Sequence, residues 1–130
     1  DLGEMLGKNS SLTKLSLSNV RLDDEGAKHV IAGAKESKCL VVMEMINVGM
    51  SEGSGGALCE LLEGSHSLRE LNVEDNALGE AAAGVAETAL RKERIEKLSL
   101  RNNDIPATAT KRICDALKKN VSLRSLDISG

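Results

Sequence analysis

The 130-residue chain contains no phenylalanine, tyrosine or tryptophan, and a single proline. Without aromatic rings it has no platform on which single-stranded bases can stack. A core has to be assembled from Leu, Ile, Val, Met and Ala, in thin, regular layers. No apolar run approaches the roughly 18 residues of a membrane span, and no signal-peptide pattern opens the chain. A dominant sign of charge is missing too: 17 basic and 20 acidic residues are interspersed, for a formal net charge of −3. Such a surface exerts no global pull on phosphate. The clusters Arg91-Lys92-Glu93-Arg94 and Lys118-Lys119 fall where helices are expected to end, where positive charge compensates the helix dipole. Neither nucleic acid nor membrane is expected as a partner.

Cys39, Cys59 and Cys114 are an odd number for a disulfide scaffold. Cys59 and Cys114 occupy the same place two repeats apart, in a register given below. With helices roughly 8–10 Å apart, that separation is about 16–20 Å, against the roughly 7 Å a disulfide tolerates between Cα atoms. Reduced core thiols in a cytoplasmic protein are the expectation.

Catalytic and metal chemistry are equally thin. His29 and His66 sit at different places of successive repeats, and neither meets Cys or carboxylate at metal-ligand spacing, so no metal or cofactor is expected. No Ser, His and Asp set converges for nucleophilic catalysis. Gly53, Gly55 and Gly56 lie between strand and helix, yet no Lys-Ser/Thr follows, so a flexible turn and helix cap is the reading there. The chain is not expected to be an enzyme.

What is present is a period. Residues 68–78, LRELNVEDNAL, carry apolar side chains at places one, four, six and eleven, with Asn76 at place nine. The same skeleton begins at Leu12, Leu40, Ile95 and Leu123, so that the five starts are spaced 28, 28, 27 and 28 residues apart. A period of this size sustained over the chain means stacked repeats. One domain is expected over 1–130, with a partial repeat at 1–11, repeats at 12–39, 40–67, 68–94 and 95–122, and a partial repeat at 123–130. Leu2, Met5 and Leu6 match Leu58, Leu61 and Leu62, so the chain opens inside a helix. No polar cap is visible at either end, which leads to the expectation of a piece of a longer protein whose apolar end layers associate end to end.

Within each repeat a short strand alternates: Leu15 and Leu17, Leu71 and Val73, Leu98 and Leu100 point inward. Lys14 and Ser16, Glu70 and Asn72, Lys97 and Ser99 point outward. A doubly wound sheet, covered on both faces, would show continuous apolar runs instead. Helices are expected behind the turns, with Val30, Ile31 and Ala34, then Leu58, Leu61 and Leu62, then residues 80–90, then Ile113, Ala116 and Leu117. Asp23 and Asp24 offer N-cap chemistry, Lys35 and Lys38 suit a last turn, and Pro106 suits a helix start. The one-residue deletion in the third repeat falls in 91–94.

This pattern resembles the leucine-rich repeat family in its ribonuclease-inhibitor-like form. The resemblance implies an α/β solenoid, a right-handed βα superhelix with a curved parallel sheet on the concave face and helices on the convex face. It also implies that the place-nine asparagines, Asn76 and Asn103, bond backbone groups in the turns. Val20 and Val48 stand at that place in the first two repeats, where turns are expected to be looser or differently bonded.

Stacking the repeats produces columns on the open face. Place three reads Lys14, Val42, Glu70, Lys97, Ser125; place five Ser16, Glu44, Asn72, Ser99, Asp127; place seven Ser18, Ile46, Glu74, Arg101, Ser129. Glu44, Glu70 and Glu74, with Asp75 nearby, form an acidic centre beside Lys97, Arg101 and Arg124, next to an apolar spot of Val42 and Ile46. Two readings stay open: lateral pairing of Glu70 with Lys97 and Glu74 with Arg101, or a partner-binding patch with Lys14, Asn72 and these residues in a polar rim.

The function expected of such a chain is non-enzymatic protein–protein interaction through the concave strand face. SLRELNVEDNAL at 67–78 and LSLSNV at 15–20 are similar to tropomodulins and leiomodins, which implies actin binding and capping of filament pointed ends. Other solenoids of the same repeat type are immune-receptor sensors, the ribonuclease inhibitor and activators of the GTPase Ran, which imply a sensor or a regulator; the last would need a catalytic-support surface on the strand-to-helix turns, where Asn103 and Asp104 offer weak material.

Overall fold

The computed structural model describes residues 2–120 and 122–130. Its elements alternate: α1 (Leu2–Lys8), β1 (Lys14–Ser18), α2 (Asp23–Glu36), β2 (Val42–Ile46), a 3-10 turn (Glu52–Ser54), α3 (Gly55–Gly64), β3 (Glu70–Asn72), α4 (Ala81–Lys92), β4 (Lys97–Ser99), α5 (Ala107–Leu117) and β5 (Ser125–Asp127). The strands form one parallel sheet in the order β1-β2-β3-β4-β5. Successive repeats therefore sit side by side, as right-handed βα crossovers require. Each helix packs on the next, so the molecule is a solenoid with a strand layer and a helix layer.

The core lies between the two layers. Met43, Met45, Leu71, Val73, Leu98 and Leu100 project from the sheet and are buried. From the helices Val30, Ile31 and Ala34, then Leu58, Leu61 and Leu62, then Ile113 meet them, all buried. Each such aliphatic side chain contributes roughly 1.5–3 kcal/mol of transfer free energy. In α4 the buried side chains are mostly alanine (Ala82, Ala83, Ala86, Ala89), small enough to let that helix approach the sheet while favouring helix. Ala116 and Leu117 of α5 are only half-buried. Of the three apolar residues that match α3's stripe, only Leu6 is buried; Leu2 and Met5 of α1 are exposed.

Helix starts depart from expectation. Neither Asp23 nor Asp24 caps α2, whose N-cap is Leu22 without a side-chain bond. Asp24 instead reaches across to the next repeat: its Oδ1 accepts from the Ser51 amide at 2.8 Å, and its carboxylate also accepts from the Ser51 and Ser54 hydroxyls. These bonds, the Ser51 hydroxyl first, hold the Asp24 pKa below its ordinary 3.8. The carboxylate thus fastens two turns together. Lys35 does lie in the last turn of α2, but Lys38 falls past its end at Glu36. Pro106 precedes α5 in extended conformation, as its missing N–H allows.

The glycine-rich turn is tighter than its composition suggests. A Cβ on Gly55 would stand 2.7 Å from that of Ala81, so this glycine serves the close approach of α3 to α4, whereas Gly56 meets nothing within 4 Å. All three cysteines are free. They are not fully buried, however: Cys39, in the connection between α2 and β2, and Cys59, packed against the core from α3, are half-buried, and Cys114 on α5 is exposed.

Candidate interaction face

The turns that follow the strands position the open face. Asn76 is buried and saturated: its Oδ1 accepts from the Val48 and Met50 amides, and its Nδ2 donates to the carbonyls of Met45, Val73 and Glu74. Asn103 repeats the pattern one layer on, accepting from Leu78 and donating to Val73, Leu100 and Arg101. Both amides are consumed by backbone, so Asn103 has nothing left to present to a partner. Where Val48 replaces asparagine, its carbonyl accepts from Leu22 and Asp23 at 3.0 Å instead. The first turn is differently bonded, as the valines imply.

A second column runs beside the first. Asn19, Asn47, Asp75 and Asn102, all at place eight, adopt left-handed backbone with φ between 53° and 57°, and Gly130 does so at 88°. Asn and Asp are the residues with side chains that most readily enter this region. Asn47 Nδ2 donates to Asn19 Oδ1, and Asn102 Nδ2 to Asp75 Oδ1, both at 2.8 Å. Asp75 therefore belongs to this turn column and not to the acidic centre in which the sequence put it. The signal was available, since every place-eight residue is Asn, Asp or Gly.

The strand register aligns the columns as the repeats predict. Lys14 pairs with Val42, Val42 with Glu70, Glu70 with Lys97, and Lys97 with Ser125. Ser16, Glu44, Asn72, Ser99 and Asp127 form the next row. Lys14 lies 3.8 Å from Glu44, and Lys97 3.9 Å from Glu70. The expected Glu74–Arg101 pair is not formed: Glu74 Oε2 accepts from the Ser99 hydroxyl at 2.7 Å, and Arg101 acts on Asp127. A hydroxyl one row away is nearer to hand than an exposed guanidinium, whose pairing gains little in water. Arg124 turns to Glu96 at 3.9 Å. Val42 and Ile46 are half-buried, less exposed than an isolated apolar anchor would be.

Of the candidate residues, Val42, Glu44, Glu70, Asn72, Glu74 and Lys97 line a shallow depression of about 240 Å³, whereas Lys14, Ile46, Asp75, Arg101 and Arg124 are outside its lining. Its polar lining includes Glu44, Glu70, Glu74 and Asp127 against the single cation Lys97, with Asn72 and Ser99 between them. Asp127, outside the candidate set, is a clear member of the place-five column. Ser129, through its hydroxyl and then its amide, holds the Asp127 pKa below 3.8. The face is thus a grid of fixed carboxylates, amides and hydroxyls with one apolar flank. It can hold a complementary surface by hydrogen bonds and charge. Among the described residues no group of three or more His, Cys, Asp or Glu could hold a metal, and no helix is long and apolar enough to cross a membrane.

Comparison with known proteins agrees with this architecture. Residues 8–29 and 64–83 match the family described as Leucine Rich repeat. The chain is 29% identical over 132 residues to the ribonuclease inhibitor of Mus musculus and 30% identical to that of Sus scrofa, covering 99% of this chain. It spans only 29% of the length of either inhibitor. NACHT, LRR and PYD domains-containing protein 3 of Bos taurus is 30% identical over 129 residues, 97% of this chain and 12% of that protein. Among solved structures, the tropomodulin C-terminal domain of Caenorhabditis elegans superposes with a TM-score of 0.89 at 26% identity, covering 99% of this chain and 81% of the other. Leiomodin-1 actin-binding site 2 shares the fold, with a TM-score of 0.89 at 15% identity over 97% of this chain and 76% of that one. The chain is a leucine-rich repeat solenoid of the ribonuclease-inhibitor-like type, and it resembles the tropomodulin C-terminal domain.

Proposed function

We propose that this chain is a non-enzymatic interaction module, working in the cytoplasm, that binds a protein partner through its concave strand face. The observation that carries this reading is the cluster of carboxylates around the depression: Glu44, Glu70, Glu74 and Asp127 stand over the sheet with Lys97 as the one cation in its lining, and Lys14 reaches Glu44 from outside it. A partner that supplies cations and an apolar contact to Val42 would complete the pattern, with the paired rim charges setting orientation more than affinity. Charge reversal at Glu70 and Glu74 should weaken partner binding and leave helicity unchanged. Unchanged affinity would move the site to helices or turns.

Actin is the narrower reading, supported by the resemblance of residues 67–78 to tropomodulins, by the 26% identity to the tropomodulin domain over 99% of this chain, and by the fold shared with the actin-binding site of leiomodin-1. The test is pointed-end actin elongation with barbed ends blocked. Slowed elongation, relieved by Glu70→Lys with Glu74→Lys, supports tropomodulin-like capping. Elongation at the control rate returns the chain to an interaction scaffold with another partner. The sensor reading rests on relatives of which the chain spans 13% or less, and the burial of Asn103 removes one of the two turn residues a GTPase regulator could use.

A further inference from the structure

We propose that the edge of the solenoid formed by the helix-to-strand connections binds an acidic, Asp/Glu-rich segment of a protein, independently of the concave face. The starting observation is a charge polarity that the near-neutral total conceals. Segments 5–13, 33–41, 61–69, 89–96 and 114–124, which run from helix ends to strand starts, hold ten Lys and Arg against five Asp and Glu. The opposite edge, 19–26, 47–58, 73–84 and 100–110, holds two against eight. Because every βα unit points the same way, all connections of one kind lie on one edge.

Helix dipoles account for part of this polarity only. Basic residues occupy the last turns of α1, α2 and α4, namely Lys8, Lys35, Arg91 and Lys92, but none stands in the last turns of α3 or α5. Of the other six, Arg94 meets the last carbonyls of α3 and Lys118 is the C-cap of α5, which leaves Lys38, Arg69, Lys119 and Arg124 past the helix ends. Internal pairing does not absorb the surplus either. Among the described residues three of the ten are paired: Arg91 meets Glu63 at 2.7 Å, Lys118 meets Asp115 at 3.6 Å and Arg124 meets Glu96 at 3.9 Å. Lys35, Lys38, Lys92 and Lys119 have no carboxylate within 4.0 Å among the described residues.

Geometry supplies a foothold. A cleft of about 330 Å³ opens between the connections that follow α2 and α3, lined by Lys35, Lys38, Glu36, His66 and the hydroxyl-bearing Ser37 and Ser67. Gly64 leaves room for the Lys35 stem, since a Cβ there would lie 2.5 Å from Lys35 Cε. The Lys35 stem is thereby laid against the next repeat, and Lys35 lines the cleft. The Arg94 guanidinium on His66 Nδ1 makes that nitrogen an acceptor and leaves Nε2–H as a donor. Cations recur in every connection, so an extended segment crossing the repeats meets one or more per layer.

The chemistry favours separate carboxylates over a phosphate array. The five interspersed acids break the edge into discrete cationic points, where a nucleic-acid backbone or a headgroup layer needs a continuous band. No Phe, Tyr or Trp ring is available to stack a base.

The test is fluorescence anisotropy of a labelled oligoglutamate peptide with this chain, at low salt and at about 0.15 M, where exposed charges are already screened beyond roughly 8 Å. The variant Lys38→Gln with Lys119→Gln removes two exposed cations that hold no bond, so the fold is retained, which circular dichroism checks. It should weaken binding about threefold to tenfold, the range of two exposed ion pairs. Lys28→Gln with Lys111→Gln, an equal loss of charge on the helix faces, should change it less than twofold. Equal weakening by both pairs, or no weakening by the first, overturns the site. Tighter binding to vesicles containing phosphatidylserine or to duplex DNA than to oligoglutamate, lost in the Lys38/Lys119 variant, overturns the choice of ligand.

Discussion

Arg94 Nη1 lies 2.7 Å from His66 Nδ1, and Nη2 of the same guanidinium reaches the carbonyls of Leu62 and Glu63 at 3.5 and 3.3 Å. This one residue closes the carbonyl end of the preceding repeat's helix. It stands where the third repeat is one residue short, just after Glu93 takes left-handed backbone at φ 55°. A long planar donor bridges the gap that the deletion leaves.

Arg94→Ala should therefore cost about 1–2 kcal/mol in urea unfolding, the worth of charge-assisted bonds left unmade. The gain is moderated because Arg94 Nε is itself buried without an acceptor. Arg94→Lys should recover less than half of the loss, since an ammonium cannot span three acceptors as a fork does. Full recovery by lysine would reduce the role to one of charge.

Asn76→Ala leaves the buried amides of Val48 and Met50 without their acceptor and the Met45 carbonyl without its side-chain donor, while the Val73 and Glu74 carbonyls keep Asn103 Nδ2 and the Asn47 amide. A loss of about 2–4 kcal/mol is expected. Asn19→Ala, which loses one exposed ladder bond and places alanine in left-handed backbone, should cost about 1–2 kcal/mol, less than Asn76→Ala. Denaturant midpoints of the two variants settle the ranking.

Asp24 predicts a pH dependence. Its folded pKa is lowered below 3.8 by the hydroxyl and amide of Ser51 and by Ser54. The stabilisation is thus present above the unfolded value and is lost as pH falls through the folded one. Asp24→Asn should lower the urea midpoint at neutral pH, and the gap to the natural chain should narrow as pH falls below about 4. A gap that stays constant would deny the carboxylate its charge-dependent role.

Two glycines should respond in opposite senses. A Cβ on Gly33 would lie 1.9 Å from the carbonyl oxygen of Gly3, so Gly33→Ala must push α1 away from α2. Hydrogen exchange in α1 should rise sharply. Gly56 meets nothing within 4 Å and sits in the first turn of α3, so Gly56→Ala should stabilise by about 0.5–1 kcal/mol through helix propensity and a less free unfolded chain.

Much of this molecule was legible along the chain because its deciding pattern is local. Leu71 and Val73 face inward and Glu70 and Asn72 outward by the two-residue period of a strand, whatever lies elsewhere. Equal repeat lengths then bring Lys14, Val42, Glu70 and Lys97 into one row, as the strand register has them. The deletion in the third repeat leaves that row intact because Arg94 and Glu93 absorb it beyond the strand. What tertiary structure alone decided is which side chain crosses from one layer to the next. Asp24 reads as a cap for its own helix until the offset between stacked turns carries it to Ser51 and Ser54. Glu74 reads as Arg101's partner until Ser99 is found nearer. Such choices depend on distances of an ångström or two between repeats 25–30 residues apart, and no period along the chain encodes them.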